Sequence, residues 1–329
     1  MIGLIQNELM KIWEKKSSWI FAIILVLALI GGAILEMKMS PQLKGDDWRA
    51  SVEAEISKLE KKLPNAPTEE SLIESGKDFN WDDSKEAIES KIQGYKSNLE
   101  EDVSPYTTDW SYMNGMVIGL KSLITLFVVI VCAGNVSSEY SDGTIKQLLI
   151  RPHKRWKVLL SKYISLLIYA ASLIVVLIVA GYLISIAFFG IGDFATKIAV
   201  LNFDYETIGV SGGVHFFKSI LYYLPGLILV ITLAFMLSTL FKNQAIAVGV
   251  GVFVLFLSST LGALIQTLAE NYAWAKVLLF PHLDQTVFLT EEKILETITM
   301  PMSLGILFIY YVIFMVITFW SFQKRDVSI

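Results

Sequence analysis

The chain has little cysteine and no recognisable catalytic motif. Among its 329 residues there is one cysteine, Cys132, so no disulfide can form within the chain. It contains no G-x-x-x-x-G-K-[ST] sequence, which excludes a P-loop nucleotide site of its own. The three histidines, His153, His215 and His282, are far apart in the sequence, and no cysteine–histidine cluster accompanies them. We therefore expect neither an enzyme nor a metal-binding protein.

Long apolar segments take the place of such motifs. Apolar residues make up 54% of the sequence, and the mean hydropathy is +0.57. A helix of roughly 20 apolar residues crosses the hydrocarbon layer of a membrane with all its backbone groups paired. Six segments are long enough: 18–37, 112–136, 160–189, 220–241, 244–268 and 302–322. The pattern predicts an all-α integral membrane protein with six transmembrane helices.

Charged residues are distributed unevenly around these segments. Lysine and arginine are concentrated in the loop 138–157, at Lys242 and near both ends of the chain, whereas segment 36–111 is acidic. Short loops rich in lysine and arginine stay in the cytoplasm. We therefore expect both termini inside a bacterial cell membrane and the loops 36–111, 190–219 and 269–301 outside it. With a formal net charge of −4, we expect membrane lipid and no nucleic acid as a partner.

Residues 1–17 precede the first span and have the pattern of an amphipathic helix. Their apolar side chains share one helical face: Ile2, Ile5, Leu9, Ile12 and Trp13. The charged residues off that face are Glu8, Lys11, Glu14 and Lys15. Such a helix lies in the membrane interface as an elbow before the first span. The expected interfacial anchors are Lys11, Trp13, Lys15 and Lys16.

Segment 38–111 is the part of the chain with the character of a water-soluble domain. Two amphipathic helices are predicted, Trp48–Leu63 and Ser84–Glu100, and Pro64 helps to end the first. Their apolar positions are Val52, Ile56, Leu59 and Leu63, and Ile88, Ile92, Tyr95 and Leu99. We expect an extracellular helical hairpin. It is either a passive spacer or an element that contacts a substrate or partner.

Two other outer loops are less regular. Loop 190–219 contains several glycines and has no clear pattern. In loop 269–301, the apolar stretch Ala273–Phe280 is too short to cross a membrane and is expected to be re-entrant or interfacial. A helix is predicted for Glu291–Thr299.

Charge is scarce inside the predicted spans. The last four contain no aspartate or glutamate, whereas ion-coupled transporters need ionisable groups among their helices. Energy for transport would therefore come from elsewhere. Lys121 in the second span is the clear intramembrane charge. Either it pairs near the interface with Glu36 or Asp109, or it faces a transport pathway.

The loop 138–157 combines positive charge with an apolar ridge. A short helix is predicted for Glu139–Leu149, with a turn or cap at Asp142-Gly143-Thr144. Within it, Ile145, Leu148 and Leu149 fall on one face, and Pro152 follows it. Such a ridge suits docking into a groove of a partner protein. A basic loop that only obeys the positive-inside rule is the alternative, but it accounts for the charges and leaves the ridge unexplained.

The loop resembles the connection between the second and third spans in permease subunits of type-2 ABC transporters. In that family an acidic residue is followed by Gly-Thr, Leu-Leu, proline and a basic residue. The matching residues here are Glu139, Gly143-Thr144, Leu148-Leu149, Pro152 and Arg155. The elbow helix and the six spans also match, and stretch 280–284 is similar to the family's proline-containing segment before the last span. The enlarged first outer loop is typical of a subset.

The resemblance implies a transport subunit without its own motor. Two permease subunits, identical or different, would sit over two ATP-binding subunits, and the ATP and Mg²⁺ would be bound by those partners. The residues implied in coupling are Glu139, Gly143, Thr144, Ile145, Leu148, Leu149, Pro152 and Arg155. The expected activity is export of a hydrophobic or amphipathic substrate, such as a peptide antibiotic, a bacteriocin or a lipid. The alternative is a membrane sensor or scaffold protein that signals from its extracellular hairpin.

Overall fold

The computed structural model describes residues 1–39, 48–71, 84–144, 154–201, 207–295 and 297–324, and this part of the chain is mostly helical. In chain order the helices are α1 (Ile2–Glu14), α2 (Lys16–Met39), α3 (Trp48–Lys62), α4 (Lys85–Glu100), α5 (Asp109–Tyr112), α6 (Lys121–Ser141), α7 (Arg155–Phe189), α8 (Gly212–Leu240), α9 (Gln244–Asn271) and α10 (Met300–Lys324).

Five of these helices, α2, α6, α7, α8 and α10, are long and apolar enough to cross a membrane. The fifth predicted segment, 244–268, corresponds to α9, which bends by 47° between Gln244–Ser258 and Thr260–Ala269. It adds a sixth span only if both parts belong to one crossing. The helices also exceed the apolar segments that predicted them. The third begins at Arg155 rather than at residue 160, and the second continues to Ser141 rather than ending at residue 136.

The bundle is organised around α6, α7 and α8. Helix α8 packs against α6 and α10, α6 packs against α9, and α7 packs against α1 and α2. Apolar side chains from these contacts form one large cluster, in which the fully buried members include Leu29, Val128, Leu166, Tyr169 and Phe235. Helices α2 and α10 bury the smallest share of their apolar residues inside the chain. Their remaining apolar surface suits contact with lipid.

The helical structure of the second predicted span, 112–136, begins earlier than the sequence predicts. Thr108 caps α5 in a reciprocal pair of hydrogen bonds with Ser111, so the helix starts at Asp109 rather than at residue 112. A π-helical turn, Met113–Val117, follows before α6 begins at Lys121. π-Helical turns are rare in proteins overall, and those that occur often lie at functional sites.

Helices α3 and α4 form a hairpin with an apolar cluster of its own. Its four buried residues are Val52, Ile56, Ile88 and Ile92, and the partly buried residues around them include Leu59, Leu63, Tyr95 and Leu99. The hydroxyl of Ser84 caps α4 by accepting from the Ala87 N–H. The apolar positions that define the two amphipathic patterns are therefore the positions that pack together.

Two of the segments between the long helices contain strands that the sequence pattern does not predict. Loop 190–219 contains an antiparallel hairpin of β1 (Lys197–Leu201) and β2 (Thr207–Ser211). The helix predicted for Glu291–Thr299 is wrong, since the short strands β3 (Lys293–Ile294) and β4 (Ile298–Thr299) pair there. Ile294, Ile298 and Thr299 are β-branched and favour extended backbone. The stretch Ala273–Phe280 contains a 3₁₀ turn, Ala273–Val277, and a second 3₁₀ turn begins at Phe280.

The helix ends collect at two opposite ends of the bundle. At one, which we call the basic end, α1, the C-terminal ends of α6 and α10, the N-terminal end of α7 and Lys242 meet. The Ser141 hydroxyl donates to the Lys242 carbonyl at 3.2 Å, and Arg155 donates to the Gln323 carbonyl at 3.5 Å. The α3–α4 hairpin, β1–β2 and segment 273–299 lie at the other, the hairpin end. Assignment of the basic end to the cytoplasm remains a prediction.

Candidate functional site

A cluster of four charged side chains joins three helices at the basic end. Lys162 of α7 donates from Nζ to Glu8 Oε2 of α1 and to Glu139 Oε1 of α6, both at 2.7 Å. Lys11 of α1 donates to Glu8 Oε1 at 2.9 Å and to Glu139 Oε1 at 3.1 Å. Two lysines and two glutamates therefore form a neutral charge cluster that ties α1, α6 and α7 together.

Most of the charge cluster is removed from water. The side chains of Lys162 and Glu8 are 1% and 7% exposed, and that of Glu139 is 12% exposed, whereas Lys11 is half exposed. Moving such charges out of water costs several kcal/mol per ion, and mutual attraction and hydrogen bonds repay this cost only in good geometry. The members therefore depend on one another, because loss of one leaves the cluster with an unbalanced charge that is largely buried.

The charge cluster sets the protonation of its members on α1. Burial acts to raise the pKa of Glu8, but the attraction and hydrogen bonds of Lys162 and Lys11 outweigh it and hold that pKa below its ordinary value. Burial acts to lower the pKa of Lys11, and Glu8 and Glu139 reverse this and raise it. Both groups are charged at neutral pH, as the ion pairs require.

A cavity of about 350 Å³ opens beside the charge cluster. Asn135 and Glu139 lie one turn apart on the same face of α6 and both line it. Asn135 Oδ1 and Glu139 Oε2 are buried and have no hydrogen-bond partner among the described residues. The cavity adjoins the C-terminal end of α6, from which the loop toward α7 continues. The charged side chains that line it are of both signs: Glu8, Glu14, Glu139 and Asp142, and Lys11, Lys15 and Lys162.

The structure divides the predicted coupling residues. Glu139 belongs to the last turn of α6, and Gly143 adopts a left-handed backbone with φ of 71° just after the helix ends. Glycine takes this conformation without steric cost. Helix α6 therefore ends directly before the predicted turn or cap at Asp142-Gly143-Thr144, and the rest of the predicted helix Glu139–Leu149 lies outside the described residues. The Thr144 hydroxyl donates to the Glu139 carbonyl at 3.4 Å.

The remaining predicted coupling residues follow this turn in the sequence. Arg155 is the first residue of α7 and is exposed. Four residues of the predicted ridge and its end lie outside the described residues: Ile145, Leu148, Leu149 and Pro152. Their proposed role stays a prediction.

Helix α1 packs more deeply than an interfacial anchor requires. Glu8, predicted on the polar face, is buried because Lys162 of α7 supplies its countercharge. Trp13 is half-buried, with its ring 5.4 Å from that of Tyr169 on α7 and 5.3 Å from that of Trp19. Lys15 and Lys16 are exposed, as an anchoring role at a lipid surface would need.

Lys121 pairs with neither of the acids expected from the sequence. Its Nζ lies 3.4 Å from Asp284 Oδ2 and donates to Thr286 Oγ1 at 3.0 Å. Glu36 instead accepts from the Thr107 hydroxyl, and Asp109 accepts from the Gly192 N–H. The stretch 280–284 therefore packs close to the start of α6. Whether Lys121 lines a pathway stays a prediction.

The sequence pattern misses the two residues on which the charge cluster depends. Lys162 follows a run of basic residues and precedes a long apolar run, so it has the pattern of an interfacial lysine. Glu8 has the pattern of a solvent-exposed charge on an amphipathic helix. The sequence offers one signal of this charge cluster. A lysine lies two residues inside an apolar span, and each flanking element carries an acid.

Comparison with known proteins identifies the family of the chain. Residues 92–328 match a family model described as protein of unknown function (DUF2705). The chain belongs to this family. It is 32% identical to "Uncharacterized protein YhcI" of Bacillus subtilis (strain 168) over 329 residues, which is the full length of both chains. It is 34% identical to "Uncharacterized membrane protein YdbK" of the same organism over 212 residues, 64% of this chain and 80% of that protein.

No solved structure matches the chain significantly. The apolar helices and the membrane-protein relative together indicate a membrane location for this DUF2705 protein.

Proposed function

We propose that this DUF2705 protein is the permease subunit of an ABC transporter in the bacterial cell membrane. Separate ATPase subunits would dock on the 138–157 loop, and the substrate would be a hydrophobic or amphipathic molecule moved outward. The observation that carries the proposal is the bridge formed by Lys162 between Glu8 and Glu139.

The bridge lies where a motor would need a mechanical connection. The loop between α6 and α7 begins just after Glu139 and ends a few residues before Lys162. A force on the loop therefore acts on two helix ends that an ion pair already joins, and Glu8 extends the connection to α1. Densely packed elements of this kind move as units rather than deforming continuously. Nucleotide binding in the motor could bias the bundle only through contacts that differ between its two states.

The positions of the chain ends support six crossings with both termini in the cytoplasm. Helix α1 and the end of α10 lie at the same end of the bundle, which requires an even number of crossings. Helix α9 starts beside Lys242 at the basic end and contacts the Ala273–Val277 turn at the hairpin end. If α9 is one bent span, the five other long helices and α9 make six. The lysines and arginines at the basic end then favour a cytoplasmic position.

Affinity purification tests the proposal at its partner. The tagged full-length chain is purified from its own membrane in mild detergent, with Leu148→Glu and Gln147→Glu compared to the natural chain. Both variants add the same charge to the loop, but only Leu148 belongs to the predicted ridge. We expect a P-loop ATPase to co-purify with the natural chain and with Gln147→Glu, and to be lost from Leu148→Glu. The proposal fails if no ATPase co-purifies, or if the two variants retain it equally.

A second candidate function rests on the α3–α4 hairpin. Its apolar cluster is separate from that of the bundle, so the hairpin could act as a recognition unit in a membrane sensor or scaffold. Deletion of residues 45–100 separates the candidates. Transport retained without its regulation favours the sensor, whereas loss of transport favours a hairpin that serves the permease.

A further inference from the structure

A second cavity lies at the hairpin end, remote from the charge cluster. It has a volume of about 650 Å³ and lies between the base of the α3–α4 hairpin and the segment that follows α7. This volume is within the range of small-molecule sites in proteins. We propose that the cavity binds an amphipathic ligand through a cationic group, with Asp109 as the main countercharge.

Asp109 is the residue on which the proposal depends. It is 2% exposed and lines the cavity. Its Oδ2 accepts from the Gly192 N–H at 3.0 Å, but its Oδ1 is buried without a hydrogen-bond partner. A carboxylate oxygen in this position loses its hydration and gains nothing in return. Gly192 covers this oxygen, so a ligand N–H or ammonium group would satisfy it once the Gly192 backbone moves aside.

The basic residues of the cavity are directed to another acid. Arg49 forms an ion pair with Asp102, and Lys197 Nζ lies 3.9 Å from the other carboxylate oxygen of Asp102. Asp193 lies exposed at the rim, where one oxygen accepts from the Ala195 N–H. The charged lining thus comprises three aspartates and two basic residues. Within the described ranges, no basic side chain forms an ion pair with Asp109. The excess negative charge of the cavity lining is therefore located around Asp109.

The uncharged part of the wall combines apolar and aromatic side chains with hydroxyl groups. The apolar and aromatic side chains are Trp48, Tyr106, Phe188, Phe189 and Ile191, and the hydroxyl groups belong to Ser104, Thr107, Thr108 and Thr196. Aromatic faces bind apolar groups and also attract cations. A metal ion fits less well, because no group of three or more His, Cys, Asp or Glu side chains that could hold one occurs in the part of the chain that the structure describes. The lining therefore favours an organic ammonium or guanidinium group that is attached to an apolar body.

The start of a helix does not by itself explain Asp109. An acid in the first turn stabilises a helix through the aligned peptide dipoles, and that role is fulfilled equally well by an exposed carboxylate. Thr108 already supplies the side-chain cap. Burial of Asp109 beside a cavity, one turn before the π-helical turn Met113–Val117, is the additional feature that a ligand site explains.

Three acetylated peptide amides that differ in one charge test the inference. Phe-Lys-Phe carries one positive charge, Phe-Gln-Phe is neutral and Phe-Glu-Phe is negative. Binding is measured by equilibrium dialysis against the full-length protein in lipid nanodiscs, with empty nanodiscs to correct for partition into lipid. We expect the cationic peptide to bind at least about tenfold more tightly than the neutral one, since a charge-assisted hydrogen bond is worth more than 1.4 kcal/mol.

Two variants locate the effect. Asp109→Asn keeps the acceptor for Gly192 and removes the charge, so it should abolish the preference for the cationic peptide. Glu53→Gln removes an exposed charge from α3 and should leave that preference unchanged. Equal binding of the three peptides to the natural chain, or an unchanged preference in Asp109→Asn, would overturn the inference.

A third variant guards against misfolding of Asp109→Asn. Asp193→Asn alters only an exposed rim residue, and we expect it to weaken the cationic peptide about two- to threefold. If Asp109→Asn does not fold, an undiminished preference for the cationic peptide in Asp193→Asn counts against a negatively charged site in this cavity. The three peptides on the natural chain then show whether the protein prefers a cationic ligand. Because the readout is binding without ATP, the result is independent of whether the chain partners a motor.

Discussion

Two carboxylates, Glu8 and Asp109, lie buried at opposite ends of the bundle, in opposite surroundings. At the basic end, Glu8 receives hydrogen bonds from Lys162 at 2.7 Å and from Lys11 at 2.9 Å. At the hairpin end, Asp109 is at least as buried, yet one of its oxygens has no partner among the described residues. The first arrangement satisfies its own charges and holds helices together. The second leaves a buried acceptor without a partner in the described part of the chain, which is the feature that the proposed ligand site explains.

The largest effect is expected at Lys162. Lys162→Met leaves Glu8 and Glu139 with only the half-exposed Lys11 between them, and breaking a buried pair in this way costs about 3–5 kcal/mol. The free energy of unfolding is measured by titration with a denaturing detergent. Lys157→Met, which removes an exposed lysine from the same helix, is the control and should change stability by less than about 0.5 kcal/mol.

The same titration checks the assignment of this effect to the charge cluster. Adding Glu8→Gln to Lys162→Met should recover part of the lost stability, since the unpaired charge is then gone. Equal losses for Lys162→Met and Lys157→Met would show that the charge cluster holds nothing together.

Segment 280–283 packs directly against the backbone of α8. Gly226 lies so close to the Leu283 carbonyl that an added Cβ would overlap the oxygen. Because backbone must shift to make room, Gly226→Ala should cost about 1–3 kcal/mol. Gly305 on α10 has no atom near its Cβ position, so Gly305→Ala should be neutral or slightly stabilising. Thermal unfolding in detergent compares the two, and similar melting temperatures would contradict the close approach.

Acidification should affect the hairpin end before the basic end. Buried His282 donates from Nε2 to the Lys276 carbonyl and accepts at Nδ1 from the Ser303 hydroxyl, both at 2.9 Å. Burial lowers its pKa below the ordinary 6.5, although the hydrogen bond to Lys276 opposes this. The unfolded chain then binds more protons, so stability falls as the pH drops below about 6.5, by at most about 1.4 kcal/mol per pH unit.

Glu8 behaves in the same direction at lower pH. Its pKa lies below the ordinary 4.5, so its contribution is complete above that pH and is lost as the pH falls through the lowered pKa. Melting temperatures from pH 8 to pH 4 should therefore decline first through His282. His282→Gln should flatten the decline below pH 6.5, and an unchanged pH profile in that variant would contradict the assignment.

The smallest effect on stability is expected at Asp109. Asp109→Asn retains an acceptor for the Gly192 N–H and removes an uncompensated charge. We expect a change below about 1 kcal/mol, and in the stabilising direction, because binding residues are often costly to the fold. The denaturing titration used for Lys162 measures it. A loss comparable to that of Lys162→Met would show that Asp109 holds the fold together and is no free acceptor.

What the sequence predicts well is local. The packed positions of the α3–α4 hairpin follow from a helical period among charged residues, which one segment displays by itself. The apolar segments likewise mark the long helices, although charged and polar residues such as Arg155 and Ser141 extend these into the interface. Gly143 belongs to the predicted turn, and its left-handed backbone follows directly on the end of α6.

What the sequence does not predict depends on distant partners. Glu8 and Lys162 are separated by 154 positions in the chain, and the position of Lys162 just inside an apolar span does not reveal which acid will pair with it. The sequence pattern pairs Lys121 with the acids nearest its expected depth in the membrane, whereas the fold brings Asp284 to it. The strands β3 and β4 span two residues each, too few for a period of two to be visible.

In the proposed function, the charge cluster transmits the action of a motor from the loop to the bundle. ATP hydrolysis by the co-purified ATPase, measured in nanodiscs at equal amounts of bound motor, tests this most directly. The natural complex is compared with the Glu8→Gln/Lys162→Met double variant and with the free motor. We predict that the double variant still binds the motor, and that its hydrolysis rate returns to that of the free motor. Identical rates in the natural and double-variant complexes, both different from the free motor, would contradict the account.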